Sequence, residues 1–325
     1  MLLRLILGFC IAGLMLVVES WTNARATVET RGKLLATYMV LFYLASSMGQ
    51  FLIALGDPAQ HQLFIAAAIL VCFSLIPLSL TSSTAPELED SERLGVRQLW
   101  RASELGVSGA FLSGIAMSAF SAVGPIYAFK LGLAIEQIGA FMGISILAAM
   151  LLQWPMGYLS DYLPRRVVLV GVTLATIGAG LLAATAAGRS VFLLYATAAL
   201  FYGLGTCIYP IALSLTHDVL SQKQVVPASA TFLLAFGIGT TVGPILGGAS
   251  VGVFGPAELF LFVAASLSPL ILLSIHSFAA EKAPPVAEQS HCMGVAPIST
   301  PVLIELDLRN EEFEENPEMR MEQVV

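Results

Sequence analysis

Nine continuous apolar runs, each close to 20 residues long, fill the chain from Leu2 to Ala279. In hydrocarbon only α-helices and closed β-barrels satisfy every backbone polar group. Barrel strands would alternate apolar and polar residues over about ten positions. Uninterrupted runs of this length suit α-helices crossing about 30 Å of lipid instead. The expected spans are 2–19, 34–55, 62–82, 106–129, 135–157, 167–187, 190–215, 227–251 and 257–279. Short connections make successive helices antiparallel neighbours. The first span is too long, and too plainly followed by Glu19-Ser20-Trp21, for a cleavable signal peptide. The expected fold is therefore all-α, a polytopic membrane helix bundle embedded in the lipid bilayer.

Composition agrees. Charged residues make up 11% and mean hydropathy is +0.84, against about 25% charged in an average soluble domain. Residues 1–280 hold 12 Lys/Arg and 12 Asp/Glu, whereas 281–325 hold 3 basic and 10 acidic residues, the whole of the −7 excess. That acidic tail, opened by Pro284-Pro285 and poor in aromatics, is expected to be disordered and solvated. There is no basic face for nucleic acid. Cys10, Cys72 and Cys207 lie in apolar spans and Cys292 in the tail. None has metal-ligand spacing, so neither a metal nor a cofactor is expected.

Basic residues accumulate in cytoplasmic loops. Arg25, Arg31 and Lys33, then Arg93, Arg97 and Arg101, then Arg165 and Arg166, then Lys223 occupy alternate spacers; the others hold only Lys130 and Arg189. The first set is assigned to the cytoplasm, together with the tail, in a multi-pass protein of the cell (inner) membrane. Met1 then starts outside.

A repeat underlies the runs. Gly8-Phe9-Cys10-Ile11 echoes Gly205-Thr206-Cys207-Ile208, and Ser47-Met48-Gly49-Gln50 falls opposite Thr241-Val242-Gly243-Pro244. The offsets of 197 and 194 residues agree with each other and with matching helix order. A unit beginning near Gly106 then has a partner whose first three helices are absent. The expected organisation is an incomplete N-terminal half (1–82), a cytoplasmic inter-half loop (83–105), a six-helix half (106–280) and the tail (281–325).

The run Gly157-Tyr158-Leu159-Ser160-Asp161-Tyr162-Leu163-Pro164-Arg165-Arg166 resembles the signature G-x-L-[SA]-D-[RK]-x-G-R-[RK] of the major facilitator superfamily (MFS). That signature joins family helices 2 and 3, and again 8 and 9; the repeat places this copy at the second position. Tyr162 and Pro164 depart from the pattern. Gly243-Pro244-Ile245-Leu246-Gly247-Gly248, after Gly237-Ile238-Gly239, resembles the family's glycine-rich helix pattern, here in family helix 11. Arg4-x-x-x-Gly8 is similar to its helix-4 arginine motif. Glu19-Ser20-Trp21 with Arg31-Gly32-Lys33 resembles the YcaD-like branch.

The resemblance implies about nine helices of a 12-helix (6+6) fold and alternating access to a midplane solute site. It implies a gating motif at Gly157, Asp161, Arg165 and Arg166, and a helix-packing motif at Gly243, Pro244, Gly247 and Gly248. Glu19 and Arg4 become coupling candidates, the former near the cytoplasmic end of its helix, with protons as the candidate coupling ion. Gln50, Ser113, Ser118, Tyr127, Gln153, Tyr202, Thr206 and Tyr209 become candidate cavity-lining residues. A neutral, aromatic and hydroxyl lining suits an apolar or weakly polar solute.

No enzyme motif is present: neither H-E-x-x-H, G-x-S-x-G nor a phosphate-binding loop occurs. The expected function is a secondary active or facilitative transporter of a small solute. The alternative is a truncated, non-transporting membrane protein that serves as a scaffold or requires a partner.

Overall fold

The computed structural model describes residues 2–25, 31–56, 60–80, 95–186, 189–220, 222–255 and 258–280. The tail expectation for 281–325 lies outside them. Ten α-helices follow in order: α1 (Leu2–Arg25), α2 (Arg31–Phe51), α3 (Gln62–Leu80), α4 (Val96–Ala102), α5 (Glu104–Lys130), α6 (Ile135–Tyr162), α7 (Arg165–Ala186), α8 (Val191–His217), α9 (Gln222–Phe254) and α10 (Glu258–Ala280). A 3₁₀ turn, Leu52–Leu55, extends α2. No strand occurs among the described residues.

Nine of these helices coincide with the nine apolar runs. Seven are long and apolar enough to cross a membrane; α1 and α3 carry shorter apolar stretches, Ile6–Thr22 and Gln62–Ile76. Phe192, Trp154 and Leu272 are among the many large apolar side chains that point outward. In water such a surface would aggregate; against lipid tails it is the expected exterior. Trp154, Tyr158 and Tyr162 run in ring contact down the end of α6, as aromatics do at a membrane–water interface.

Three departures from the sequence reading stand out, each with a local reason. First, α1 continues six residues past Glu19, because Ser20 and Thr22 tolerate helix although they are not apolar. Second, the inter-half segment contains α4, which buries Leu99 and exposes Arg97, Gln98, Trp100 and Arg101. One apolar residue among polar ones gave no span signal. Third, the motif is not a loop. α6 runs to Tyr162 and α7 starts at Arg165, leaving only Leu163-Pro164 between them. Pro164 precedes the helix, and its carbonyl accepts from Val167 and Val168 N–H. A residue without an N–H loses nothing there.

The α5–α6 turn closes with a Schellman arrangement. Leu133 N–H donates to Ala128 O (3.2 Å) and Gly132 N–H to Phe129 O (2.9 Å). Gly132 takes φ +82, a conformation other residues adopt at a cost.

α5 to α10 share one continuous core. α5 packs on α9, α8 and α10; α8 packs on α6 and α7; α10 also packs on α7. Phe120 is its hub, in ring contact with Phe141, Phe201, Tyr202 and Phe260. α2 joins this group mainly through α6. A separate small cluster forms that seam: Met39, Tyr43 and Ala149, with Tyr38, Phe42, Ile146 and Tyr202 around them.

Candidate functional site

The motif places its second half at a buried crossing of three helices. Arg165 opens α7 and is fully buried. Its Nη1 lies 2.5 Å from Asp218 Oδ1 at the C-cap of α8 and donates to Ser214 O at 2.8 Å. Its Nη2 is 3.9 Å from Asp161 Oδ1 in the last turn of α6. The arrangement is chemically ordered. A cation at the end of α8 meets the negative end of that helix, and Asp161 faces the positive start of α7. Arg166 is buried beside it. A Cβ built at Gly157 meets nothing within 4 Å. No neighbouring helix approaches closely at that glycine among the described residues.

Next to this cluster the ends of α8 and α9 are pinned: His217 Nε2 and Ser229 Oγ are 2.9 Å apart. Ser103, between α4 and α5, sits 3.1 Å from Thr216 Oγ1. Asp218, Ser214, His217 and Ser103 were not among the sequence candidates. Their signal was weak, since polar residues at a helix end are ordinary.

Glu19 lies deeper than expected. It is fully buried, and the six further residues of α1 set it about 9 Å inside the helix end. Tyr38 of α2 donates its hydroxyl to Glu19 Oε1 at 2.8 Å and also approaches Met15 Sδ at 3.6 Å. Tyr209 of α8 is within electrostatic reach of the carboxylate; its ring packs edge-on against Phe232 and Phe236 of α9. One acid from the first three helices thus bonds a tyrosine of α2 and lies within electrostatic reach of a tyrosine of α8. Arg4 lies in the first turn of α1; its side chain falls outside the described residues.

A second polar group sits further along the same seam. Tyr43 of α2 is buried beside Gln153 of α6 and Tyr202 and Cys207 of α8. Tyr202 Oη is 3.4 Å from Ser121 Oγ of α5. Nearby, Ser47 Oγ donates to Gly143 O across α2 and α6 at 2.9 Å. Sequence reasoning named Gln153 and Tyr202 but missed Tyr38, Tyr43, Ser47 and Ser121. The available signal was a polar-tipped residue inside an apolar span.

The other cavity candidates separate from this group. Tyr127 is enclosed in the α5–α10 core against Phe141 and Phe260. Ser113, Ser118 and Thr206 donate to their own helix at Ala110 O, Ile115 O and Gly203 O, the usual satisfaction of a buried hydroxyl. Gln50 is half-buried, and its carbonyl lies against Gly139 of α6. The packing motif divides too. A Cβ on Gly243 would strike Ile115 O and Ser118 Oγ, and one on Gly247 would sit 2.9 Å from Ala119 Cβ, whereas Gly248 and Gly237 face open space. Gly239, against the Phe111 carbonyl, belongs with the first two; Pro244 is half-buried on the flank.

Comparison with known proteins adds relatives to this geometry. The chain is 28% identical over 288 residues to the "Uncharacterized MFS-type transporter YcaD" of Escherichia fergusonii, covering 87% of this chain and 73% of that protein. It is 29% identical over 290 residues, with the same coverage, to the YcaD proteins of Salmonella paratyphi B and Salmonella newport. Residues 106–305 match the Major Facilitator Superfamily, a match that begins at Gly106 and runs past Ala280 into the acidic stretch. A polytopic helix bundle, a motif whose arginine is buried at a helix crossing, and a family match over more than half of its length together make this chain a member of the Major Facilitator Superfamily.

Proposed function

We propose that the chain is a secondary active or facilitative transporter of a small solute, working by alternating access in the cell (inner) membrane with its acidic tail in the cytoplasm. The observation that carries this reading is the seam. α5 to α10 pack around one apolar core, while α2 meets α6 through a separate small cluster that carries polar tips: Tyr38, which bonds Glu19 of α1, Tyr43 beside Gln153, and Ser47, which bonds Gly143 O. A polar seam between separately packed helix groups can exchange partners as one group rocks against the other. An apolar core cannot do so without opening voids.

In this reading Gly157, Asp161, Arg165 and Arg166 form the gate on the motif side. Glu19 couples solute movement to a proton: it sits about 9 Å inside the bundle from the helix end, where one side opening would expose it to water. Arg4 on the same helix is its candidate partner in coupling. Gln153, Tyr202 and Tyr209 face the solute path.

Pulsed spin-label distances test the mechanism without knowledge of the solute. Labels on exposed Lys33 and Leu163 report the motif side; labels on Gln60 and Gly132 report the opposite side. Two populations that shift in opposite senses on the two sides are expected. A single invariant distance on each side would favour the non-transporting alternative.

A further inference from the structure

Depth separates the two polar groups of the seam. Glu19, Tyr38 and Tyr209 stand about 9–12 Å from the motif-side ends of their helices, counting 1.5 Å per residue. Tyr43, Gln153, Tyr202 and Ser121 stand roughly 14–26 Å from those ends on the same count, in the middle of the bundle. At this level the described seam offers two phenol hydroxyls, an amide and a serine hydroxyl, and the Glu19 carboxylate is bonded to Tyr38, about a turn and a half from Tyr43 along α2.

The chemistry of this middle group is specific. Tyr43 is 5% exposed, and its hydroxyl lies alongside the Gln153 amide with no other hydrogen-bond partner among the described residues. A buried hydroxyl left in that condition costs stability unless something else accepts from it. The surroundings are aromatic: Phe42 packs edge-on against the Tyr43 ring, and Phe120 lies 5.2 Å from the Tyr202 ring. Rings prefer to pack on other rings in offset or edge-on geometry. With neutral donors and acceptors here, a charged solute would leave water without a counter-charge, which is expensive.

Resting on the transporter reading, we propose that this middle group binds an uncharged, planar solute carrying a hydrogen-bond acceptor. Tyr43 donates to the acceptor, Gln153 and the Tyr202–Ser121 pair complete the polar contacts, and the rings hold the plane. Glu19 stays outside the solute's contacts, one step closer to the motif side.

The test uses the full chain in lipid nanodiscs at pH 7 with three probes of one shape: tritiated benzamide, and unlabelled benzoate and benzylammonium as competitors. Saturable benzamide binding is expected, with each charged analogue competing at least tenfold more weakly. Tyr43→Phe, which keeps the ring, and Gln153→Leu each weaken benzamide about tenfold, while Gly237→Ala, on the open face of α9, leaves it within twofold. Equal or better competition by either ion overturns the inference. So does benzamide binding that Tyr43→Phe does not change, or an absence of saturable benzamide binding. The spin-label distances separate the two readings. Two exchanging populations without benzamide binding sink the solute class alone. One fixed population with Tyr43-dependent binding sinks transport and leaves the site.

Discussion

Arg165 and Asp218 form the pair whose removal has the clearest expected consequence. Both side chains are nearly or fully buried, at 0% and 3% exposure. Losing one member leaves an uncompensated charge, which costs about 3–5 kcal/mol, whereas replacing both is far less harmful. Asp218→Asn should therefore lower the melting temperature in detergent sharply, and Arg165→Met with Asp218→Asn should recover most of the loss. Equal melting of the single variant and the parent would show that the pair contributes nothing. Glu19→Gln is a different case. The amide still accepts from the Tyr38 hydroxyl, so folding should persist. Under the proposed coupling role, proton uptake linked to solute movement should fall to background, read with a pH dye in proteoliposomes. Of the two carboxylate partners of Arg165, only Asp161 was legible beforehand, through the motif. Asp218 looks in sequence like an ordinary polar residue after a helix, and the fold alone brings the two together across 53 residues.

α5 and α9 show what a glycine pattern does and does not specify. Gly239, Gly243 and Gly247 face α5 so closely that Cβ atoms there meet its backbone or Ala119. Overpacking of this kind costs about 1–3 kcal/mol. Gly243→Ala should destabilise the protein by that order. Gly248→Ala, on the open face, should be neutral or gain up to about 1 kcal/mol from helix propensity. Thermal unfolding in one detergent compares the two directly. The pattern was legible as a packing helix; which glycine touches α5 depends on the rotation of α9, and a repeat of small residues does not specify rotation. α6 and α7 are similar. Their existence follows from apolar length, yet the motif between them is almost wholly helical, because a two-residue break at Leu163-Pro164 suffices.

For the molecule as a whole, the balance between states should depend on the few polar contacts that cross the seam. Ser47 donates to Gly143 O there. Removing one such hydrogen bond costs about 1 kcal/mol, or about fivefold in an equilibrium. Ser47→Ala is expected to shift the two spin-label populations about fivefold away from the seam-closed form, with the melting temperature of the α5–α10 core little changed. Unchanged populations would mean that the seam does not set the balance.

The linear pattern determined the class of molecule. Runs of apolar residues long enough for lipid allow only helices, and the ten-residue motif with its glycine-rich companion names the family. These signals are local, so they survive in the sequence. The tertiary structure decided which polar side chains work together. Tyr127 went to the core and Tyr43 to the seam, though both are tyrosines in apolar helices. Glu19 moved inside the bundle because α1 continues beyond it. Such choices follow from helix rotation, depth and the approach of helices distant in sequence, and packing fixes those only when the whole bundle is assembled.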